Sequence, residues 1–213
     1  RGRDSAIQVV AFGLGITALL LLTLVRTDLL EGWRQTLGDD APNHFLINIQ
    51  PHEIESVATI FEANNAAIPI FTPMVRARMT TINDESVKDR EYPNEDGTWL
   101  VNREANLSWT SGLSASNEIV EGEWWPADYA GPPLVSIEVD AAKNAGLTIG
   151  DRLNFFIAGK EVEAEISSIR KINWDSFQPN FFIVLSPGAL DGMPTTYISS
   201  MHIADGSQPM LIN

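Results

Sequence analysis

The side chains able to do chemistry in this chain are few and scattered. His44, His52 and His202 are its three histidines. They lack the i, i+4 or short paired spacing of a zinc site and read as separate surface or edge residues. Cysteine is absent, which removes disulfides and thiolate metal sites. Gly112-Leu113-Ser114-Ala115-Ser116 carries the first half of a G-x-S-x-G nucleophile elbow, but Ser116 stands where the second glycine belongs. Gly146 to Gly150-Asp151-Arg152 lacks the lysine and Ser/Thr of a phosphate-binding loop, so ATP hydrolysis is expected in another chain. Asn83–Gly97 is rich in oxygen ligands without the alternation and closing glutamate of an EF-hand, and reads as a solvated loop. Asn106-Leu107-Ser108 matches a glycosylation acceptor, which matters only in a eukaryotic secretory setting. The expectation is a chain with no catalytic, cofactor-binding or metal-binding residues.

Aromatic side chains are the better candidates. Trp124-Trp125-Pro126 and the run from Trp174 to Phe182 place bulky groups beside turn residues. Tryptophan is highly buried on average, so core packing is one reading. The other is a contact surface for a partner or an amphiphile, formed by Trp124, Trp125, Trp174, Phe177 and Phe181. Trp174 and Phe177 flank an aspartate in a turn, which predicts that both are partly exposed.

These groups need elements to position them, and the first is a membrane helix. Ala6 to Val25 contains no charged residue. Twenty helical residues span roughly 30 Å, the thickness of a hydrocarbon core. A signal peptide has a shorter apolar run and a small-residue cleavage site, which this segment lacks. The first 26 residues hold three basic and one acidic side chain, and the rest of the chain holds 11 and 27, a net charge of −16. Basic residues before a span favour a cytoplasmic N-terminus, which puts the acidic part in the periplasm. That acidity argues against nucleic acid and against electrostatic docking on anionic lipid. Thr27 to Leu37 continues at helical spacing through Leu29, Leu30, Trp33 and Leu37, a stalk that the Gly38 to Pro42 run ends. Ala11/Gly15 and Gly13/Thr17 place small residues four apart, a spacing that suits packing against other spans.

Beyond the stalk, His44–Gln50 alternates as a strand. Pro51 opens a helix carrying Ile54, Val57, Ala58 and Phe61 on one face, ended by Asn64 and Asn65. Ile68–Phe71 and Met74–Ile82 return to strand character. The resulting β-α-β unit predicts an α+β or ferredoxin-like layer. Further strands are predicted at Leu134–Val139, Leu153–Ile157, Val162–Ile169, Phe181–Leu185 and Tyr197–Ala204. Asp140 is the expected cap of a short helix at Ala141–Ala145, closed by Gly146. The domain reading is a cytoplasmic flank and transmembrane helix over residues 1–26 and a stalk over 27–43. A mixed α/β subdomain takes 44–98 and 181–213, and a β-rich subdomain at 99–180 is inserted in it.

The chain resembles the permease subunits of the MacB/FtsX/LolC class of ABC transporters, most closely the YbbP type associated with a TesA-type lysophospholipase/thioesterase. The residues that carry the resemblance begin with Arg26-Thr27-Asp28-Leu29-Leu30, Asp40-Ala41-Pro42-Asn43 and Phe45 to Gln50. Asn102 to Leu107, Glu121 to Trp125, Gly146-Leu147 to Gly150-Asp151 and Trp174 to Phe182 follow. The resemblance implies a MacB-like periplasmic core, further spans in the same permease and a separate cytoplasmic ABC ATPase subunit that binds ATP and Mg. It also implies a periplasmic esterase/thioesterase partner, contact with membrane lipid, and mechanical coupling that serves lipidic or hydrophobic compounds. On this reading the chain is a bacterial inner-membrane fragment that lacks the return helix. Two other readings remain open: an interaction module that recruits and regulates a periplasmic hydrolase without transport, and a sensor ectodomain.

Overall fold

In the computed structural model, residues 2–36, 41–64 and 66–203 are described, and the chain divides into two compact units, Arg1–Ala41 and Pro42–Asn213. The first is a helix. Helix α1 (Gly2–Thr36) runs without a break through the apolar segment and past Arg26. Val10–Leu29 is long and apolar enough to cross a membrane, and its side chains are exposed. The threonines within it do not leave hydroxyls unpaired. Thr17, Thr23 and Thr27 each donate to the carbonyl four residues back, Gly13, Leu19 and Thr23, at 2.8, 2.8 and 2.9 Å. The predicted stop at Gly38 falls outside the described residues, as does the side chain of Trp33.

The second unit begins with a split β-α-β layer. Strand β1 (His44–Ile49) leads through a turn of 3-10 helix at Pro51–Glu53 into helix α2 (Ile54–Ala63). The Glu53 carboxylate accepts from the Gln50 amide at 2.8 Å, which fixes the entry. Strand β2 (Thr72–Ile82) follows, but β1 and β2 do not pair. The late strand β10 (Thr196–Met201) lies between them, antiparallel to both. Helix α2 covers one face, packing Val57 and Phe61 with Leu46, Met201 and Ile203. The strand expected at Ile68–Phe71 is irregular backbone. Pro69 supplies no amide for a ladder, and regular pairing starts only at Thr72.

Most of β2 belongs to something else. After the two-residue β3 (Glu85–Ser86) and helix α3 (Glu95–Asn102), strand β4 (Glu104–Trp109) pairs with β2. Strand β5 (Asn117–Gly122), strand β6 (Leu134–Glu138), helix α4 (Val139–Ala145), strands β7 (Arg152–Ile157) and β8 (Lys160–Ile172), and strand β9 (Ile183–Leu185) follow. The pairings β2-β4-β9-β6-β8-β7 return to β2 and close a six-stranded barrel. Period-two alternation fills it: Val75, Ala77 and Met79 point inward from β2, Leu153, Phe155 and Ile157 from β7, and Val162, Ala164 and Ile166 from β8. Arg76 and Arg78 of β2 face out. Helices α3 and α4 add Leu100, Val101, Ala142 and Ala145 to this core. They pack closely at Gly97, where a Cβ would stand 2.0 Å from the Asn144 carbonyl oxygen.

Local details correct the sequence reading. Asn83–Gly97 is more than a solvated loop: it contains β3 and the start of α3, and Val87 is buried. The Val87 amide bonds the Thr80 carbonyl and its own carbonyl accepts from the Tyr92 hydroxyl, so the segment folds back on β2. Glu138, not Asp140, caps α4, with its carboxylate accepting from the Ala141 amide at 2.8 Å. Gly146 ends that helix at φ 64°, a left-handed conformation costly for other residues. Strand β10 ends at Met201, and Ala204 lies outside the described residues.

Candidate apolar binding site

The five singled-out aromatics fall in three environments. Trp124 and Trp125 stack at 4.0 Å between ring centroids. Trp125 is 3% exposed and donates its indole N–H to the Thr110 carbonyl, while half-buried Trp124 donates to Ser111. Phe181 is buried in the same cluster, with Val184. Trp174 is 49% exposed and tilts against Phe182 at 5.2 Å. Phe177 is 37% exposed and directly follows the 3-10 helix at Trp174–Ser176, as its C-cap at φ 53°. The partial exposure expected of Trp174 and Phe177 is what the fold gives.

A cleft of about 250 Å³ brings part of this set together. Its wall includes Met74, Leu100, Trp174, Phe181, Phe182 and Ile198. Met74 and Ile198 are adjacent because β10 pairs with the start of β2, Thr196 opposite Met74 and Ile198 opposite Thr72. Neither residue carries a local signal in the sequence, since their partners are more than a hundred residues away. Phe182 was within reach, because in an extended segment consecutive side chains point to opposite sides. Phe181 takes the core side and Phe182 the open side. Trp124, Trp125 and Phe177 do not line this cleft.

The cleft wall is fixed from behind by Arg170. This residue is fully buried on β8 and donates to the carbonyls of Ser136, at 2.6 Å, and Phe181. Burial lowers its pKa to about 10, opposed by the negative charge of Glu138, so it stays protonated at neutral pH. Its Nε has no partner among the described residues. Arg170 therefore holds Phe181 by its backbone and ties the aromatic segment to the barrel.

The polar candidates sit elsewhere. The Ser114 hydroxyl bonds Ser116 at 2.9 Å. The Gly146–Asp151 segment is a structural turn: the Asp151 carboxylate accepts from the Thr148 amide and from the Asn83 side chain, which orients the start of β7. His44 bonds Asn43. Among the described residues, no three His, Asp or Glu side chains gather as a metal site. The cleft offers mainly desolvation of apolar surface, about 25 cal/mol per Å², with Arg103, Glu104, Asn106 and Asn180 as the polar part of its wall.

The chain thus combines a helix long and apolar enough to cross a membrane with an acidic barrel-and-layer unit that carries a mainly apolar cleft. No family model matches the chain. It is 37% identical over 201 residues, 94% of its length, to an Escherichia coli K12 protein described as an uncharacterized ABC transporter permease, YbbP. The chain spans 24% of that relative's length. The similarity supports the ABC permease class and a permease fragment.

Proposed function

We propose that this chain is one span and the periplasmic domain of an inner-membrane ABC permease, and that it transmits motion rather than catalysing a reaction. The similarity over nearly the whole chain to an ABC transporter permease carries this reading. A separate cytoplasmic subunit hydrolyses ATP, and further spans complete the permease. The basic flank at Arg1 and Arg3 and the acidic remainder favour the N-terminus inside and the domain outside. The unbroken α1 supports a lever, because a continuous helix carries displacement along its axis where a hinge would absorb it. The apolar cleft at Trp174 and Phe182 supports handling of lipidic or hydrophobic compounds, which a periplasmic esterase/thioesterase then receives.

Proline in a helix interior removes an amide donor and clashes with the preceding turn. Leu30→Pro lies in α1 beyond the apolar core. In the complete permease with its ATPase, reconstituted in liposomes, the variant is expected to keep ATP hydrolysis and lose ATP-dependent release of lipid to an acceptor. Release at the unmodified rate refutes the lever.

A further inference from the structure

We propose that the apolar cleft and the groove beside it form one site for a single-chain amphiphile with an anionic headgroup, and that Arg76 binds the head. This rests on the apolar-compound reading above and adds the charge and shape of the ligand. The groove measures about 700 Å³ and lies where the split layer meets the β7–β8 turn, with walls from Asn48, Gln50, Arg76, Ile157, Met193 and Thr196. Met74 lines both the groove and the cleft. The two are joined a second time through β2 and β4: Arg76 stands opposite Asn106, which lines the cleft. Side chains directly opposite in such a pair are about 5 Å apart at Cβ. The guanidinium thus belongs to the border between an apolar space and an open polar one.

Two arginines border this site: Arg103 lines the cleft beside Glu104, and Arg76 lines the groove. The unit Pro42–Asn213 holds 10 basic and 23 acidic residues, a net charge of −13. Yet among the described residues no aspartate or glutamate lines the groove, and the one acid in the cleft wall, Glu104, is accompanied there by Arg103. Arg90 and Arg152 are paired with Glu85 and Asp84, and Arg170 is buried in the barrel. Arg78, two residues along on the same outward face, stands opposite Glu104. Arg76 stands opposite neutral Asn106 and makes no ion pair among the described residues. A guanidinium left open beside an apolar cleft suits a carboxylate or phosphate whose chain lies against Met74, Phe182 and Trp174. The cleft is smaller than the roughly 300–1,000 Å³ of drug-sized pockets, which suits one acyl chain rather than two.

The test is photolabelling of the whole chain in phosphatidylcholine nanodiscs. Two diazirine probes of equal length are used, palmitate and the uncharged hexadecanol, with labelling of the cleft peptides normalised to that of α1. Palmitate is expected to label the peptides containing Met74 and Trp174–Phe182. Arg76→Gln should lower that labelling about tenfold, the loss of one charge-assisted hydrogen bond, while Arg76→Lys retains part of it. Arg78→Gln and the hexadecanol signal should stay unchanged. Competition by unlabelled palmitate or by lyso-phosphatidylglycerol distinguishes a carboxylate from a phosphate head, and failure of both overturns the proposal. Equal labelling by both probes, unaffected by Arg76→Gln, overturns the anionic head and leaves the apolar reading standing. Absence of cleft labelling by either probe overturns both.

Discussion

The barrel and the split layer are built from the same kind of strand and meet on one of them, yet they solve the edge problem differently. In the barrel, the ring of pairings returns to β2, so each of its six strands has neighbours on both sides and the interior is filled by one continuous cluster. In the layer, three strands lie side by side and, among the described residues, β1 ends the sheet. Its six residues carry no formal acid or base other than His44, and Phe45 and Ile47 are 54% and 76% exposed. The opposite end of the sheet, β5, carries Glu118 and Glu121, charges that discourage further pairing. Closure makes the barrel rigid and self-contained. The layer, with a core of Phe61, Met201 and Ile203, has less buried surface to hold it. The apolar cleft sits where the two meet, lined by Met74 and Ile198 from the layer pairing and by Phe181 and Phe182 leading into a barrel strand.

The largest test of this contrast is Arg170→Met. Removing the guanidinium leaves the buried Ser136 and Phe181 carbonyls without their donor, a loss of about 1–3 kcal/mol for each, and takes a positive charge from the neighbourhood of Glu138. Urea unfolding of the whole chain in micelles measures it, and a loss under about 1 kcal/mol means that the ring does not depend on the buried charge. A matched pair comes next. Met79 in the barrel and Met201 in the layer are both buried, and Met→Ala costs about 2–5 kcal/mol depending on how far the site collapses. Met79→Ala is expected near the top of that range and Met201→Ala near the bottom. Equal losses erase the distinction between a closed and an open core. The smallest effect belongs to the free face: Phe45→Ser with Ile47→Ser should change stability by no more than about 0.5 kcal/mol per site, because both side chains are already in water. Amide exchange over β1 should be faster than over β7 in either protein. If the double variant melts many degrees lower, that face is covered in solution.

Local order was readable wherever one short-range signal had no competitor. The charge-free run with its helical continuation gave α1, and Pro51 followed by Val57 and Phe61 at helical spacing gave α2. Gly159 marked the β7–β8 hairpin, where Ala158 and Gly159 both take positive φ, at 47° and 89°. Readings failed where a distant partner decided. Phe181 looks like the start of a strand, but its carbonyl belongs to Arg170 and pairing begins at Ile183. Asp140 looks like the helix cap, but Glu138 lies one residue before the helix and bonds the Ala141 amide. The candidate site was half legible. Trp174 stood out by its turn context, whereas Met74, Ile198 and Arg76 reached it through β2 pairings invisible along the chain.

By itself the sequence determined the membrane-length helix, the charge asymmetry around it and the alternation of most strands. These are nearest-neighbour properties, set by the solvent each residue prefers and by periods of 3.6 and 2. Only the tertiary structure decided that β10 enters between β1 and β2, and that the other strands close on β2 as a barrel. Strand pairing joins residues far apart in sequence, and its register depends on which faces a whole core must bury together. That closure put a buried arginine behind Phe181 and left another, Arg76, facing outward beside Met74.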